Sequence, residues 1–353
     1  MTEEYKLQNG EGGCFACINS GQGFRSYFDT FLGKMQYVYV IKGGPGTGKS
    51  GFMRRIRKEA QKRGEESLPI FCSSDPESLD GLILKERRIA FVDGTSPHVQ
   101  EPAQPGVDGE ILNFGEFWES ERLGSEREEI LFLARQKAEG YRRGFSLLAA
   151  AQKIQEAKYS LVQPRVDFPK LGKWARKMLS AVVSKERKGE KQICPMASMG
   201  MEGAVYLDSQ QEMAGEIRSF QPFYGVEYLL LEELERQAEN QKLSFSVSPD
   251  PVSLRPESLF FPESRTLFRR GAPCMKEGER TVSLRPAFGM PPAECRKRLH
   301  RLEKEEKTLF RLSEEEFERI SEAHFALEEL YGKAMDFSRV DELERQICHK
   351  IFG

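Results

Sequence analysis

No stretch of 18 or more apolar residues occurs in the 353-residue chain, so a membrane-spanning helix is not expected. The start, Met1-Thr-Glu-Glu-Tyr-Lys6, lacks the basic residues and apolar run of a secretory signal. Neither sign of charge is in excess, because 53 Lys and Arg face 55 Asp and Glu for a formal net charge of -2. No overall positive field draws the chain to nucleic acid or anionic lipid, and such a partner would need a local patch. Seven cysteines, scattered from Cys14 to Cys348, are an odd number that fits reduced thiols better than a disulfide framework. These absences together point to the cytoplasm. Cys14-Phe-Ala-Cys17 is a lone C-x-x-C, and Cys72, Cys194 and Cys274 supply no second pair, so two ordinary thiols are expected there.

What is present builds a core. Hydrophobic residues make up 39% and charged residues 31% of the chain, with 24 Phe, which excludes both a disordered chain and a membrane protein. The length suggests about two domains. Gln36 to Lys42 reads as a strand buried on both faces. A glycine-rich turn follows, and then Gly51 to Arg63 carries Phe52, Met53, Ile56 and Ala60 at helical spacing, closed by Gly64. Leu68 to Cys72 and Arg88 to Asp93 read as further short strands. Such alternation predicts a mostly parallel sheet flanked by helices. Helices are expected from about Glu119 to Ser160 and from Pro169 to about Val183, and the charged stretch Ser184 to Gln192 is the best linker candidate.

The strongest chemical signal is Gly43-Gly44-Pro45-Gly46-Thr47-Gly48-Lys49-Ser50, which matches G-x-x-x-x-G-K-[ST] between a strand and a helix. The glycines let the backbone wrap with its N–H groups inward, where they and the helix N-terminus bind phosphates. In that pattern Lys49 reaches the β- and γ-phosphates and Ser50 ligates Mg²⁺. A carboxylate at the end of a neighbouring strand completes a metal site. Asp93, after Ile89-Ala-Phe-Val92, is the candidate, but Gly94 stands where many ATPases carry a catalytic Glu. Asp75, after Phe71-Cys-Ser-Ser74, is a second candidate for metal, water or acceptor contact, although Asp-Pro is also a turn signal. His98, in Asp93-Gly-Thr-Ser-Pro-His98, is a candidate γ-phosphate sensor, and Arg54, Arg55, Arg87 and Arg88 are possible charge-stabilising arginines. No N-K-x-D occurs, so adenine is favoured over guanine by elimination.

The second half repeats short patterns of the first. Tyr27-Phe-Asp-Thr30, Ser74-Asp-Pro-Glu-Ser-Leu79 and Val166-Asp-Phe-Pro-Lys-Leu171 recur in order as Tyr206-Leu-Asp-Ser209, Pro249-Asp-Pro-Val-Ser-Leu254 and Met335-Asp-Phe-Ser-Arg-Val340. An internal duplication is therefore expected, with an ATP-binding unit over residues 15–185 and a degenerate copy over residues 197–353. In the copy, Gln221 to Tyr228 falls near the glycine-rich position, with Val226 and Glu227 where Lys49 and Ser50 should be. Arg270 replaces the metal acid, and no phosphate cradle is expected there. The arginines of the copy are candidates to face the nucleotide of the first unit.

The sequence resembles a family of bacterial tandem P-loop proteins of the ATPase or nucleotide-kinase-like kind. The resemblance rests on Gly23-Phe24 with Tyr27, Lys42 to Ser50, Cys72 to Gly81, Val92 to His98 and Leu147 to Ala151. It covers most of the first half and weakly the second, whose missing P-loop is a departure from the family. It implies a P-loop NTPase fold and ATP binding with hydrolysis. The expectation is a Mg²⁺-dependent ATP-binding protein, an ATPase with one site. The alternatives are a phosphotransferase with a small-molecule acceptor or a nucleotide-dependent module for a protein partner, with no membrane or nucleic-acid partner.

Overall fold

The computed structural model of the protein describes residues 6–8, 12–97, 99–182, 189–271 and 278–353. His98, Cys274 and residues 184–188 of the expected linker lie outside the described residues. The first half carries strands β1 (Lys6–Gln8), β2 (Cys14–Phe15), β3 (Cys17–Ser20) and β4 (Gly23–Ser26), then helix α1 (Phe28–Leu32). Strand β5 (Tyr37–Lys42), helix α2 (Lys49–Lys62), and strands β6 (Ser67–Phe71), β7 (Leu79–Leu84), β8 (Ile89–Asp93) and β9 (Gly109–Asn113) follow. Helices α3 (Ser120–Ser125), α4 (Arg127–Val162) and α5 (Phe168–Leu179) complete it.

The second half repeats this order from β2 onward, without a counterpart of α3. It has β10 (Lys191–Ile193), β11 (Ala197–Gly200), β12 (Gly203–Leu207), α6 (Ser209–Met213), β13 (Glu216–Phe220) and α7 (Val226–Asn240). Strands β14 (Phe245–Pro249), β15 (Pro256–Phe261), β16 (Thr266–Arg270) and β17 (Arg280–Val282) precede the long helices α8 (Ala293–Ala334) and α9 (Phe337–Phe352). The tail of the expected linker, Lys191 and Gln192, is thus part of strand β10, which pairs in parallel with β14.

The two halves share sheet topology. Strands β6, β7, β8, β5 and β9 lie side by side in that order, and β14, β15, β16, β13 and β17 repeat it. The central β5 runs parallel to β8 and β9, as β13 does to β16 and β17. By contrast β7 is antiparallel to both its neighbours, and so is β15. Even the register break recurs, at Ile70/Phe71 and at Ser248/Pro249. These correspondences make the duplication a property of the fold.

The sheets are therefore mixed, which corrects the expected mostly parallel arrangement. The cause is a strand, β7, that the sequence pattern conceals. All six of its residues are buried, so it shows no alternation, and its Asp80-Gly81 pair reads as a turn. A tight turn closed by the Ser78 N–H on the Asp75 carbonyl (2.9 Å) returns the chain directly from β6 into β7. Connections this short can join only antiparallel neighbours.

The chain folds into two compact units, each discontinuous in sequence. One comprises residues 26–143, 200–202 and 316–353, and the other residues 1–25, 144–199 and 203–315. Their composition differs from the linear division at 15–185 and 197–353, because α4 and α8 each contribute their two ends to different units. In the first unit α2 buries Phe52, Met53, Ile56 and Ala60, the face expected from the spacing. Phe52 meets Phe91 and Phe114 edge-on at 6.0 and 5.5 Å, and Phe91 stacks on Tyr39 at 4.7 Å. The other unit packs Leu230, Leu234, Phe220, Phe261 and Phe268 into its own core. Helices α5 and α9 both start at an aspartate cap, Asp167 accepting from the Lys170 N–H and Asp336 from the Ser338 N–H.

Candidate functional site

Strand β5 ends at Lys42, and Gly43 to Gly48 turn the chain into α2. Gly46 and Gly48 take positive φ values of 68° and 88°, a region costly for any residue with a Cβ. Gly48 is the N-cap of α2, and no side chain bonds the helix end there. The first N–H groups of α2 are thus left without a side-chain partner, which is the electrostatic basis of anion binding at a helix start. Thr47 is buried and its hydroxyl donates to the Gly44 carbonyl at 2.8 Å, which braces the loop from within.

Lys49 lies 8% exposed at the head of the helix. Its Nζ donates to the carbonyls of Gly43 (2.9 Å) and Gly44 (2.6 Å) and stands 3.5 Å from Asp93 Oδ2. Asp93 closes β8, the parallel neighbour of β5, and its Oδ1 accepts the Thr95 N–H at 2.8 Å. The Thr95 hydroxyl in turn donates to the Gly43 carbonyl at 2.7 Å, tying the loop after β8 to the glycine-rich loop. A side chain at position 94 would collide with Val40, so the residue after Asp93 is closed to a second acid. Ser50 Oγ accepts the Leu79 N–H at 3.0 Å.

The structure brings Gly43 to Ser50 and Asp93 together, while Asp75 bonds within its own turn. Asp75 Oδ1 accepts the Glu77 N–H at 3.3 Å in the turn before β7, and it makes no hydrogen bond or ion pair to Lys49, Ser50 or Asp93 among the described residues. The four arginines have local structural duties. Arg54 donates to the Glu77 carbonyl, Arg55 pairs with Glu344 and Asp341 of α9, Arg87 pairs with Glu65, and Arg88 donates to the Lys34 carbonyl.

Other groups at the loop were not expected from the sequence. Within the same unit, the end of α8 and the start of α9 sit against its glycines. A Cβ on Gly44 would come within 2.6 Å of the Tyr331 ring, one on Gly46 would overlap the Glu328 main chain, and one on Gly48 would reach 3.1 Å from Phe337. Lys137 of α4 lies 2.8 Å from His324 Nδ1, and His324 Nε2 is 3.5 Å from Glu328 Oε1. The hydrogen bond and charge of His324 hold the Glu328 carboxyl below the usual range against the effect of burial, with the Gly46 N–H as a further donor. Burial lowers the Lys137 ammonium from its ordinary value, with the Lys49 charge acting in the same direction. Tyr141 donates to Ser74 Oγ at 2.7 Å, and burial drives its hydroxyl well above the ordinary range.

The counterpart in the other unit is built differently. Ile41 and Phe220 face Asp93 and Arg270 in the ladders. Gly48 follows Ile41 by seven positions, but Gly225, the N-cap of α7 with φ 87°, follows Phe220 by five. The loop is two residues shorter. Val226 is buried where Lys49 stands, and Glu227 Oε2 accepts the Phe223 N–H at 2.9 Å. Arg270 has Asp250 Oδ2 and Glu257 Oε1 at 3.4 Å and Glu227 Oε1 at 3.5 Å, and it lies 4.2 Å over the Tyr228 ring. At 6% exposure, it is held by these partners of its own unit. A cavity of about 110 Å³ beside Gly225 is lined by Tyr159, Tyr228, Arg255, Arg270 and Lys158.

Cys14 is buried and hydrogen-bonded to Cys194, which together with burial raises its thiol well above the ordinary value. No group of three or more His, Cys, Asp or Glu that could hold a metal ion occurs among the described residues. Nor, among them, is any helix long and apolar enough to cross a membrane. Compared with known proteins, the chain matches no family model, no curated protein and no solved structure.

Proposed function

We propose that the unit containing Gly43 to Ser50 has a P-loop NTPase fold, binds ATP with Mg²⁺ at one site and hydrolyses it. The observation that supports this best is Lys49, at the head of an uncapped helix after a loop with two left-handed glycines, 3.5 Å from the strand-end carboxylate of Asp93. An ammonium and several inward N–H groups suit a polyphosphate, whose charge they neutralise in a partly desolvated site. The Ser50 hydroxyl and the Asp93 carboxylate are hard oxygen donors of the kind Mg²⁺ takes beside phosphate oxygens. Ser50 accepts one N–H and Asp93 keeps Oδ2 on the Lys49 side, so both retain an oxygen lone pair for a metal. Bound there, Mg²⁺ would offset charge on the phosphates. The other unit, with Val226 for Lys49 and Arg270 for Asp93, is a non-binding copy.

The test is phosphate release from Mg²⁺-ATP by the wild type and by Lys49→Ala, with nucleotide binding measured beside it. Wild-type turnover and binding, with binding at least about 100-fold weaker in the variant, is the expected result. A wild type that binds no nucleotide overturns the reading. One observation favours a second reading, a nucleotide-gated interaction module. Position 94 is sterically closed to the acid that would activate water, so binding with negligible turnover is its signature.

A further inference from the structure

The amide two residues before the left-handed glycine meets a carboxylate in both units. In the copy the Phe223 N–H donates to Glu227, a residue 2% exposed on the first turn of the helix that follows. In the P-loop unit the corresponding amide is that of Gly46; the Glu328 main chain lies against this residue, and the Gly46 N–H is among the groups that keep the Glu328 carboxyl below the usual range. The two acids differ in attachment. Glu227 belongs to the loop's own helix and also faces the buried Arg270, so it is fixed. Glu328 is presented by α8, a separate element, and its side chain remains 33% exposed. Tyr331, one turn further along the same helix face, covers Gly44, and Phe337 on the first turn of α9 covers Gly48. An N–H that donates to one anion can donate to another, and a carboxylate oxygen and a phosphate oxygen compete for the same donor.

We propose that Glu328 is an intramolecular ligand of the phosphate cradle, competing with the nucleotide's phosphates for the Gly46 N–H. Together with Tyr331 it forms a latch that nucleotide must displace. This rests on the P-loop reading above. Because the latch and the nucleotide exclude each other, nucleotide binding is linked to withdrawal of the turn 328–337, and what holds that turn against the loop weakens nucleotide binding by the same factor. The coupling gives the protein a nucleotide-dependent rearrangement within one unit. Lys137 and His324 steady the latch, because His324 bridges Lys137 and Glu328.

The experiment is calorimetric titration of the full chain with Mg²⁺-ATP, comparing wild type, Glu328→Gln, Glu328→Ala and Lys49→Ala. Hydrogen exchange of residues 324–337 in the wild type is followed with and without ATP. Binding at least about 5-fold tighter in both Glu328 variants is expected, with faster exchange of residues 324–337 on adding ATP. Glu328→Gln keeps the side-chain volume, so a folding defect confined to Glu328→Ala leaves the first comparison standing. Equal or weaker binding in the Gln variant, or exchange in the wild type that ATP leaves unchanged or slows, overturns the latch. In that case wild-type binding that Lys49→Ala abolishes shows that the P-loop reading survives. A wild type that binds no Mg²⁺-ATP overturns both.

Discussion

One sheet topology supports two opposite charge arrangements in this protein. At the head of the central helix, one unit carries a cation, Lys49, and an acid at the end of the neighbouring strand, Asp93. The other carries an acid, Glu227, and a cation at that strand end, Arg270. The inversion changes what the charges do. Lys49 holds loop carbonyls and has one carboxylate at 3.5 Å, so its positive charge is only partly compensated. Arg270 is surrounded by three acidic side chains of its own unit and buried with them. The first arrangement leaves a field for an external anion, and the second closes upon itself. A loop two residues shorter and a helix start without lysine thus accompany a structural network in place of a candidate binding site.

The largest expected effect tests that distinction. Arg270→Met removes the cation paired with Asp250 and Glu227 in the interior, and leaving buried charge uncompensated costs about 3–5 kcal/mol. Asp93→Asn, at the matching place, is expected to leave the unfolding midpoint near that of the wild type while weakening Mg²⁺-dependent nucleotide binding. Thermal unfolding of both variants, with ATP titrations of the second, checks the pair. Equal destabilisation by the two would break the contrast between structural and functional charge.

The buried network also gives the second unit a pH dependence. Burial, helped by the neighbouring Asp250 charge, raises the Glu257 carboxyl to about 8. Its Oε2 has no hydrogen-bond partner among the described residues, consistent with a group held neutral. Because the folded pKa is raised above that of the unfolded chain, its stabilising contribution is full below the unfolded pKa near 4.5 and is lost as pH rises toward about 8. Glu257→Gln, which cannot ionise, should therefore gain stability relative to wild type progressively as pH rises across that window. Urea unfolding at pH 5 and pH 8 measures it. A gap between the two proteins that does not widen with pH would remove Glu257 as the titrating group.

The glycine-rich loop, its helix and Asp93 were legible in the sequence because their geometry is written in residue types at fixed spacing. So was the duplication, since Asp167 and Asp336 mark the same helix start and the turns at Asp75 and Asp250 the same strand end. Strand β7 was not legible. It is buried throughout and carries Asp80-Gly81 near its start, so neither alternation nor composition betrays it, and a parallel sheet was the wrong inference. Nor does Glu328 announce itself, because a helix's apolar stripe shows that it packs without naming what it packs on. The exposed half of Phe337 and the His324–Glu328 spacing of four residues would fit any amphipathic helix. Its place against Gly46 joins two segments far apart in the chain, which no local pattern carries.

The smallest expected difference concerns the two left-handed glycines of the corresponding loops, and it separates two reasons for a glycine. Gly225, at φ 87°, has no heavy atom within 4 Å of where a Cβ would stand, so Gly225→Ala is opposed by backbone conformation alone, at about 1 kcal/mol. Gly46, at φ 68°, faces the same conformational cost, but its Cβ would also overlap the Glu328 main chain, which cannot yield as a side-chain tip can. Overpacking of this kind adds about 1–3 kcal/mol. Denaturant unfolding of Gly46→Ala and Gly225→Ala, each against wild type, therefore gives a larger loss for the first. If the losses are equal, α8 yields readily at Gly46, and a segment that gives way to one methyl group is held too loosely to oppose a triphosphate.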